Sequence, residues 1–244
     1  MGVGDELIAA GQAKRLQAKN PAPVLIVDAS RRPRWNPVWD NNPRLIKRSE
    51  GKFQYLVNAP GVRPYVHAKT AHRWAWRKFD LVPGEMYFTE DEQSSRVAGL
   101  LVIEPNIKGT NDGNKGWIWE RWQAVADAFP GRCIQFMPSS DTRVLRNVWT
   151  LKTPTFREAA AVLANAAAFV GTEGALHHAA AALGRPAVVL FSEFISPAIT
   201  GYKTHRNLYH AGAPCGMRSA CPTCRASMEA ITVDEVVSNL REIL

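Results

Sequence analysis

Ala168-Phe169-Val170-Gly171-Thr172-Glu173-Gly174-Ala175-Leu176-His177-His178, running on through an alanine-rich stretch to Leu183, Gly184 and Pro186, decides how this 244-residue chain is read. An apolar strand ends at a glycine, a short polar step follows, and a small-residue helix starts at once and stops at Gly184. This layout aims the free amides of a helix N-terminus at whatever lies above the strand's carboxyl end. Such a terminus favours an anion, phosphate above all. Open α/β sheets bind their ligands at that edge. The apolar run Ala187 to Phe191 supplies the next strand.

Working outward, short apolar runs alternate with helical patterns, which predicts βαβ units and a mainly parallel sheet. Leu100–Glu104 and Cys133–Met137 read as strands, with a helix over Ile118–Phe129 between them. Thr155-Phe156-Arg157-Glu158 is a capping box that opens a helix reaching Ala167. Thr232-Val233-Asp234-Glu235 is a second, starting a C-terminal helix with Val236, Val237 and Leu240 inward. Nearer the front, Asp5–Ala18 predicts a helix with Leu7, Ile8 and Leu16 inward, and Pro23–Asp28 and Phe53–Asn58 predict strands. From Pro60 to Pro83 the proline and tryptophan spacing gives no period, and no element is predicted there. An acidic polar run over Glu92–Gly99 marks a boundary, dividing the chain into residues 1–97 and 98–244.

The strand–Gly–helix segment resembles the nucleotide-sugar motif of glycosyltransferase family 9, the heptosyltransferase type, with Glu173 where the family usually has Asp and His178 at the family's histidine. Leu100-Leu101-Val102-Ile103-Glu104-Pro105 is similar to the strand opening the family's second domain. It leads to Asn114-Lys115-Gly116-Trp117, similar to the family's Lys-x-Trp. Gly4-Asp5-Glu6-Leu7 resembles the turn whose Asp the family uses as catalytic base. The resemblance implies a GT-B-like α/β fold of two Rossmann-like domains. Met1-Gly2-Val3 is too short for the strand that precedes the turn in the family, so the N-terminal domain is expected to be reduced, either built without that strand or truncated at its start.

What the resemblance implies chemically is an inverting glycosyltransferase using a nucleotide-diphosphate sugar, with no catalytic metal. The leaving diphosphate gains charge and the acceptor hydroxyl loses a proton, so cations and amides must meet one while a base meets the other. Donor-binding candidates are Lys115, Thr110 and Lys108 with Thr172, Glu173, Gly174, Ala175, Leu176 and His178. Asp5 is the candidate base; a carboxylate at a helix start also serves as a plain capping group. His177 and His178 point about 100° apart on a helix, so only one can face the ligand.

The net charge is +8, and residues 1–96 carry most of it, with 16 Lys/Arg against 10 Asp/Glu. That imbalance favours an anionic partner. Arg31, Arg34, Arg73 and Arg77 are the acceptor-binding candidates, Arg73 and Arg77 interleaved with Trp74 and Trp76. Lipopolysaccharide or another surface glycan is the acceptor the resemblance implies. A modified DNA base is an alternative acceptor, and a non-catalytic nucleotide-binding module is an alternative altogether. No stretch approaches the roughly 20 apolar residues that span a bilayer. No basic and apolar leader is visible, which predicts cytoplasmic residence with at most peripheral membrane contact. Cys133 reads as a buried thiol, while Cys215, Cys221 and Cys224 form C-x5-C-x2-C, a pattern open to a structural zinc or to a loop without metal.

Overall fold

The computed structural model describes residues 2–92, 97–107 and 112–244. The first half holds helix α1 (Val3–Lys19), strands β1 (Val24–Val27), β2 (Leu45–Ile46) and β3 (Gln54–Val57), and the pair β4 (Val66–Lys69) and β5 (Trp74–Trp76). The second half runs β6 (Leu101–Glu104), α2 (Asp112–Lys115), α3 (Trp119–Asp127), β7 (Cys133–Met137), β8 (Trp149–Lys152), α4 (Phe156–Leu163), β9 (Ala168–Thr172), α5 (Ala175–Ala182), β10 (Ala187–Phe191), α6 (Pro197–Thr200), β11 (Arg206–Tyr209), α7 (Pro222–Ala230) and α8 (Val233–Ile243).

The second half forms a six-stranded, wholly parallel sheet in the order β11-β10-β9-β6-β7-β8. Counted from β6 this is 6-5-4-1-2-3, the doubly wound dinucleotide-binding order. Its switch point lies between β6 and β9, where such sheets bind ligands. Those strands pair from Leu101↔Ala168 to Glu104↔Gly171. A Cβ at Gly171, one residue before the end of β9, would fall 2.5 Å from Phe169 Cζ and 3.2 Å from the Glu104 carbonyl oxygen, so a side chain there would push the buried Phe169 ring aside. One face of this sheet is closed by α3 and α8 through Trp122, Val125, Val236 and Leu240, all fully buried.

The first half is a smaller parallel sheet, β2-β1-β3, and the separate antiparallel pair β4–β5. Helix α1 is buried on nearly every side, from Asp5 through Gly11. It packs on β1 and β3 and against α5 of the other half, so one apolar core runs through both sheets. A Cβ at Gly11 would meet the Val82 carbonyl oxygen at 2.1 Å, and one at Gly84 would meet that of Leu7 at 2.5 Å. The strap over Val82–Gly84 therefore lies backbone to backbone on α1. Burial of residues 5–11 fits the helix's weak amphipathicity, the polar side chains that reach solvent lying in the turns beyond Gly11, at Lys14, Arg15 and Lys19.

Most expected elements lie within two residues of their predicted ends. The capping box at Thr155 forms in both directions, Thr155 Oγ1 accepting from the Glu158 amide and Glu158 Oε2 from that of Thr155. The helix it opens stops at Leu163, short of Ala167. The second box is half made: Thr232 Oγ1 accepts the Glu235 amide, but the Glu235 carboxylate turns to His210 Nε2 at 2.8 Å. No helix among the described residues is long and apolar enough to cross a membrane.

Candidate functional site

The carboxyl ends of β6 and β9 open on one mouth. The Glu173 amide continues the ladder by donating to the Leu190 carbonyl, so the unpaired first-turn amides of α5 begin at its N-cap, Gly174. Lys115, at the end of α2, donates to the Glu173 carboxylate and lies 3.4 Å from the Glu173 carbonyl oxygen. Both side chains are about nine-tenths buried. Burial alone would raise the Glu173 carboxyl, but the Lys115 ammonium and the His178 ring more than reverse it, holding the group well below the usual carboxylate range. Trp117 is sunk in the core, its Nε1 donating to the Ile231 carbonyl at 3.1 Å, and this fixes the chain just beyond Lys115.

His178 Nδ1 pairs with the Tyr202 hydroxyl at 2.9 Å, and its Nε2 lies 3.8 Å from Glu173 Oε1. His177 is buried against Phe191, Tyr202 and His205, yet its ring centroid lies 4.6 Å from that of His178. One nitrogen of each ring and a Glu173 carboxylate oxygen fall within 4.8 Å of one another, so both histidines border Glu173 where helix spacing predicted only one at the site. The His177 ring nitrogens have no hydrogen-bond partner among the described residues, and burial pushes its pKa well down.

Helix α1 brings Asp5 to the same place. A Cβ at Gly4 would lie 2.9 Å from His178 Cδ2 and 3.6 Å from Ala175 Cα, so the first turns of α1 and α5 touch through a bare glycine. Asp5 Oδ1 accepts from the Tyr65 hydroxyl, while Oδ2 faces Arg63 Nη2 and the Gly2 amide, each at 3.1 Å. Asp5 thus also serves as the capping group that its position allowed. Tyr65 stacks on Trp76, and Trp76 packs edge-on against Phe194. The Phe194 ring lies 5.0 Å from Lys115 Nζ. Asp5 and Lys115 therefore stand at two ends of one continuous wall.

Several participants were invisible in the sequence. Arg63 and Tyr65 come from the stretch without a period. Glu6, beside Asp5, is buried, with Arg34 Nη2 at 2.9 Å and Asn58 Nδ2 at 2.5 Å; burial raises its pKa, and Arg34 opposes this. Glu104 ends β6 at the switch point with its carboxyl pushed up to about 7 by burial, against the Asn106 amide that bonds it at 2.8 Å.

The acceptor candidates scatter. Arg34 is committed to Glu6 and to the Asn58 carbonyl, which makes it an internal strut. Arg31 sits on an exposed turn with φ of 61°. Arg73 and Arg77 flank the β4–β5 pair, Arg77 donating to the Pro64 carbonyl. Lys108 and Thr110 lie outside the described residues. Cys133 is a buried thiol raised to about 11 by burial. Cys215, Cys221 and Cys224 come together, each sulfur within 4.8 Å of the others.

A doubly wound sheet with a helix N-terminus, a lysine–carboxylate pair and a histidine at its switch point defines a protein of the nucleotide-binding α/β class. The sequence model of glycosyltransferase family 9 (heptosyltransferase) matches residues 78–215, over half of the chain, and the chain belongs to that family. No curated protein matches it. Among solved structures, the family 9 glycosyl transferase of Veillonella parvula DSM 2008 superposes with a TM-score of 0.59 at 14% identity, over 85% of this chain and 82% of that one. The ADP-heptose lipopolysaccharide heptosyltransferase II of E. coli does so with a TM-score of 0.51 at 18% identity, over 67% of this chain and 54% of its own. The chain thus spans about half of the E. coli protein and most of the Veillonella one. These likenesses establish a fold shared with GT-B heptosyltransferases.

Proposed function

We propose that this protein transfers a glycosyl group, with inversion, from a nucleotide-diphosphate sugar to a hydroxyl of an anionic acceptor, surface lipopolysaccharide being the acceptor the family suggests. The carrying observation is the convergence of Asp5 with Lys115, Glu173 and His178 across the Gly4–His178 contact, over 100 residues apart in sequence. In this reading residues 98–244 take the donor and residues 1–97 the acceptor. The acceptor oxygen attacks the anomeric carbon from the face opposite the diphosphate. As the carbon–oxygen bond to phosphate breaks, the nucleotide diphosphate leaves with the electron pair, and Asp5 takes the hydroxyl proton. Lys115, poised by Glu173, and the Gly174–Leu176 amides meet the charge growing on the leaving group. Glu173 and His178 hold the sugar end of the donor. Arg63 Nη2, 3.1 Å from Asp5 Oδ2, and the Tyr65 hydroxyl hold the carboxylate in place.

A second observation bears on the acceptor. Trp74 has Arg63, Lys69 and Arg218 at 5.3, 4.9 and 5.9 Å from its ring centroid. An aromatic plate ringed by cations suits a phosphate-bearing acceptor, DNA included. Duplex binding measured across salt concentrations separates the two acceptors: a steep slope supports DNA, and a flat one leaves the glycan.

The donor reading is tested by thermal shift with a panel of nucleoside diphosphates and their sugars. A true donor at 100-fold its Kd adds about 2.7 kcal/mol, several degrees in a chain of this size. Asp5→Asn retains that shift while transfer falls by roughly 10²–10⁴-fold. Absence of any shift at millimolar nucleotide overturns the donor site, and undiminished transfer in Asp5→Asn overturns the base.

A further inference from the structure

The cysteine cluster stands outside the chemistry above, at the point where the β4–β5 pair meets the large sheet. We infer that Cys215, Cys221 and Cys224 bind one thiophilic divalent transition-metal ion, and that this ion fastens the loop clamping the β4–β5 pair to the donor half. Cys215 Sγ lies 3.8 Å from Cys221 Sγ and 3.1 Å from Cys224 Sγ. Tetrahedral zinc, with zinc–sulfur bonds of about 2.3 Å, sets its sulfurs about 3.8 Å apart; Cys215–Cys221 already has that spacing, Cys221–Cys224 lies within 4.8 Å, and Cys215–Cys224 must open slightly. At 3.1 Å that pair is also well beyond the roughly 2.05 Å of a disulfide.

Backbone dipoles face two of the sulfurs, while Cys224 is fully buried, so the ion itself must supply most of the compensating charge. The Met217 amide points at Cys215 Sγ at 3.5 Å, and Cys221 is the N-cap of α7, whose positive end lowers the energy of a sulfur anion. Gly216, with φ of 63°, makes the turn after Cys215, and a Cβ there would fall 2.0 Å from the Trp74 carbonyl oxygen. Among the described residues the cluster ends at three ligands, leaving a fourth position to solvent or a bound anion. Three soft sulfur donors select zinc or iron over magnesium or calcium, and their thiol protons are released on binding.

The loop these sulfurs hold is a two-sided fastener. On one side the Trp74 amide donates to the Gly216 carbonyl at 2.8 Å, the Arg218 amide to that of His72 at 2.9 Å, and Arg218 Nη1 to those of Thr70 and Ala71 at 3.0 Å. On the other, the Cys215 and Gly216 amides donate to the Glu193 and Phe194 carbonyls, and Asn114 Nδ2 donates to those of Met217 and Ser219 at 2.8 Å. Asn114 precedes Lys115, and Trp76 and Tyr65 lead to Asp5. Losing the ion therefore loosens the aromatic wall between Asp5 and Lys115 at the edge of the shared core, where Cys224 is buried, and leaves the core packed by α3 and α8 untouched.

The test uses the full chain, reduced and stripped with chelator, then titrated with cobalt(II). One equivalent produces thiolate-to-cobalt charge-transfer absorption, and Cys224→Ser abolishes it. Protein as purified from zinc- and iron-supplemented cells carries one equivalent of metal by elemental analysis. Chelation raises tryptic cutting at Lys69 and Arg73 by about fivefold or more, the response expected of local opening, with the far-ultraviolet circular dichroism unchanged. The wild-type titration keeps the test decisive even if the serine variant does not fold. Absence of the cobalt band, substoichiometric metal, or a Cys215–Cys224 disulfide in the mass of the isolated protein overturns the site. Metal binding without any change in cutting overturns the clamp.

Discussion

Replacing Lys115 by methionine isolates the electrostatics of the mouth. The Glu173 carboxylate is about nine-tenths buried, with Lys115 as its near cation and the His178 and His177 rings as its other ionisable neighbours. Removing one partner of a buried ion pair costs about 3–5 kcal/mol, because the remaining charge is left without compensation. At about 2 °C per kcal/mol for a chain of this size, the melting temperature at pH 8 falls by about 6–10 °C. The pH dependence gives the sharper signature. In the wild type the Glu173 carboxyl is held below its ordinary value of 4.5, so its stabilisation is present above that pH and is lost as acid approaches the folded value. Without Lys115, burial is the largest influence left and lifts the carboxyl above 4.5. The folded state then takes up a proton more readily than the unfolded one, and the penalty shrinks as pH falls through the raised value. Thermal melts of both proteins from pH 8 to pH 5 read that difference directly, and the histidines common to both largely cancel. Lys115→Met combined with Glu173→Gln recovers most of the loss at pH 8. A single variant within about 1 kcal/mol of wild type, or a double variant no better than the single, refutes the reasoning.

Gly4→Ala drives a methyl group to 2.9 Å from His178 Cδ2; helix α1 must shift, stability falls by about 1–3 kcal/mol, and transfer falls more than donor binding, as paired melts and kinetics will show. Burial lowers His205 from 6.5 to about 4, so the unfolded chain binds a proton the folded chain refuses, and up to about 3 kcal/mol drains away as pH drops from 6.5 to 4. His205→Phe flattens that part of the stability curve, and an unchanged curve removes the assignment. Thr155→Ala loses the oxygen that caps α4 and lowers stability by about 1 kcal/mol in urea titrations, with donor affinity unaltered.

What the sequence revealed and what it hid follow from where each element finds its partners. The unit β9–α5–β10 was legible because both strands are buried on both faces, giving unbroken apolar runs, and a glycine and a polar step separate helix from strand. The edge strands β8 and β11 escaped notice: Trp149–Lys152 is mostly exposed and Arg206–Tyr209 buries chiefly Leu208, so neither has a run to read. The β4–β5 pair was unreadable for a different reason. Its packing comes from Gly216 and Phe194, over 100 residues downstream, and no local period encodes that. Arg63 and Tyr65 were lost with it, so Asp5 was singled out while the groups that hold it were not. Arg34 read as an acceptor-binding cation because its partner Glu6, which makes it an internal strut, sits 28 positions earlier, on the buried flank of α1.

The strap at Val82–Gly84 has a mechanical consequence. Helix α1 is gripped by α5 at Gly4 and by bare backbone at Gly11, so the segment joining the two sheets is stapled to the very helix that carries Asp5. Strap and helix therefore move as one body, and a side chain at Gly11 or Gly84 would pry them apart.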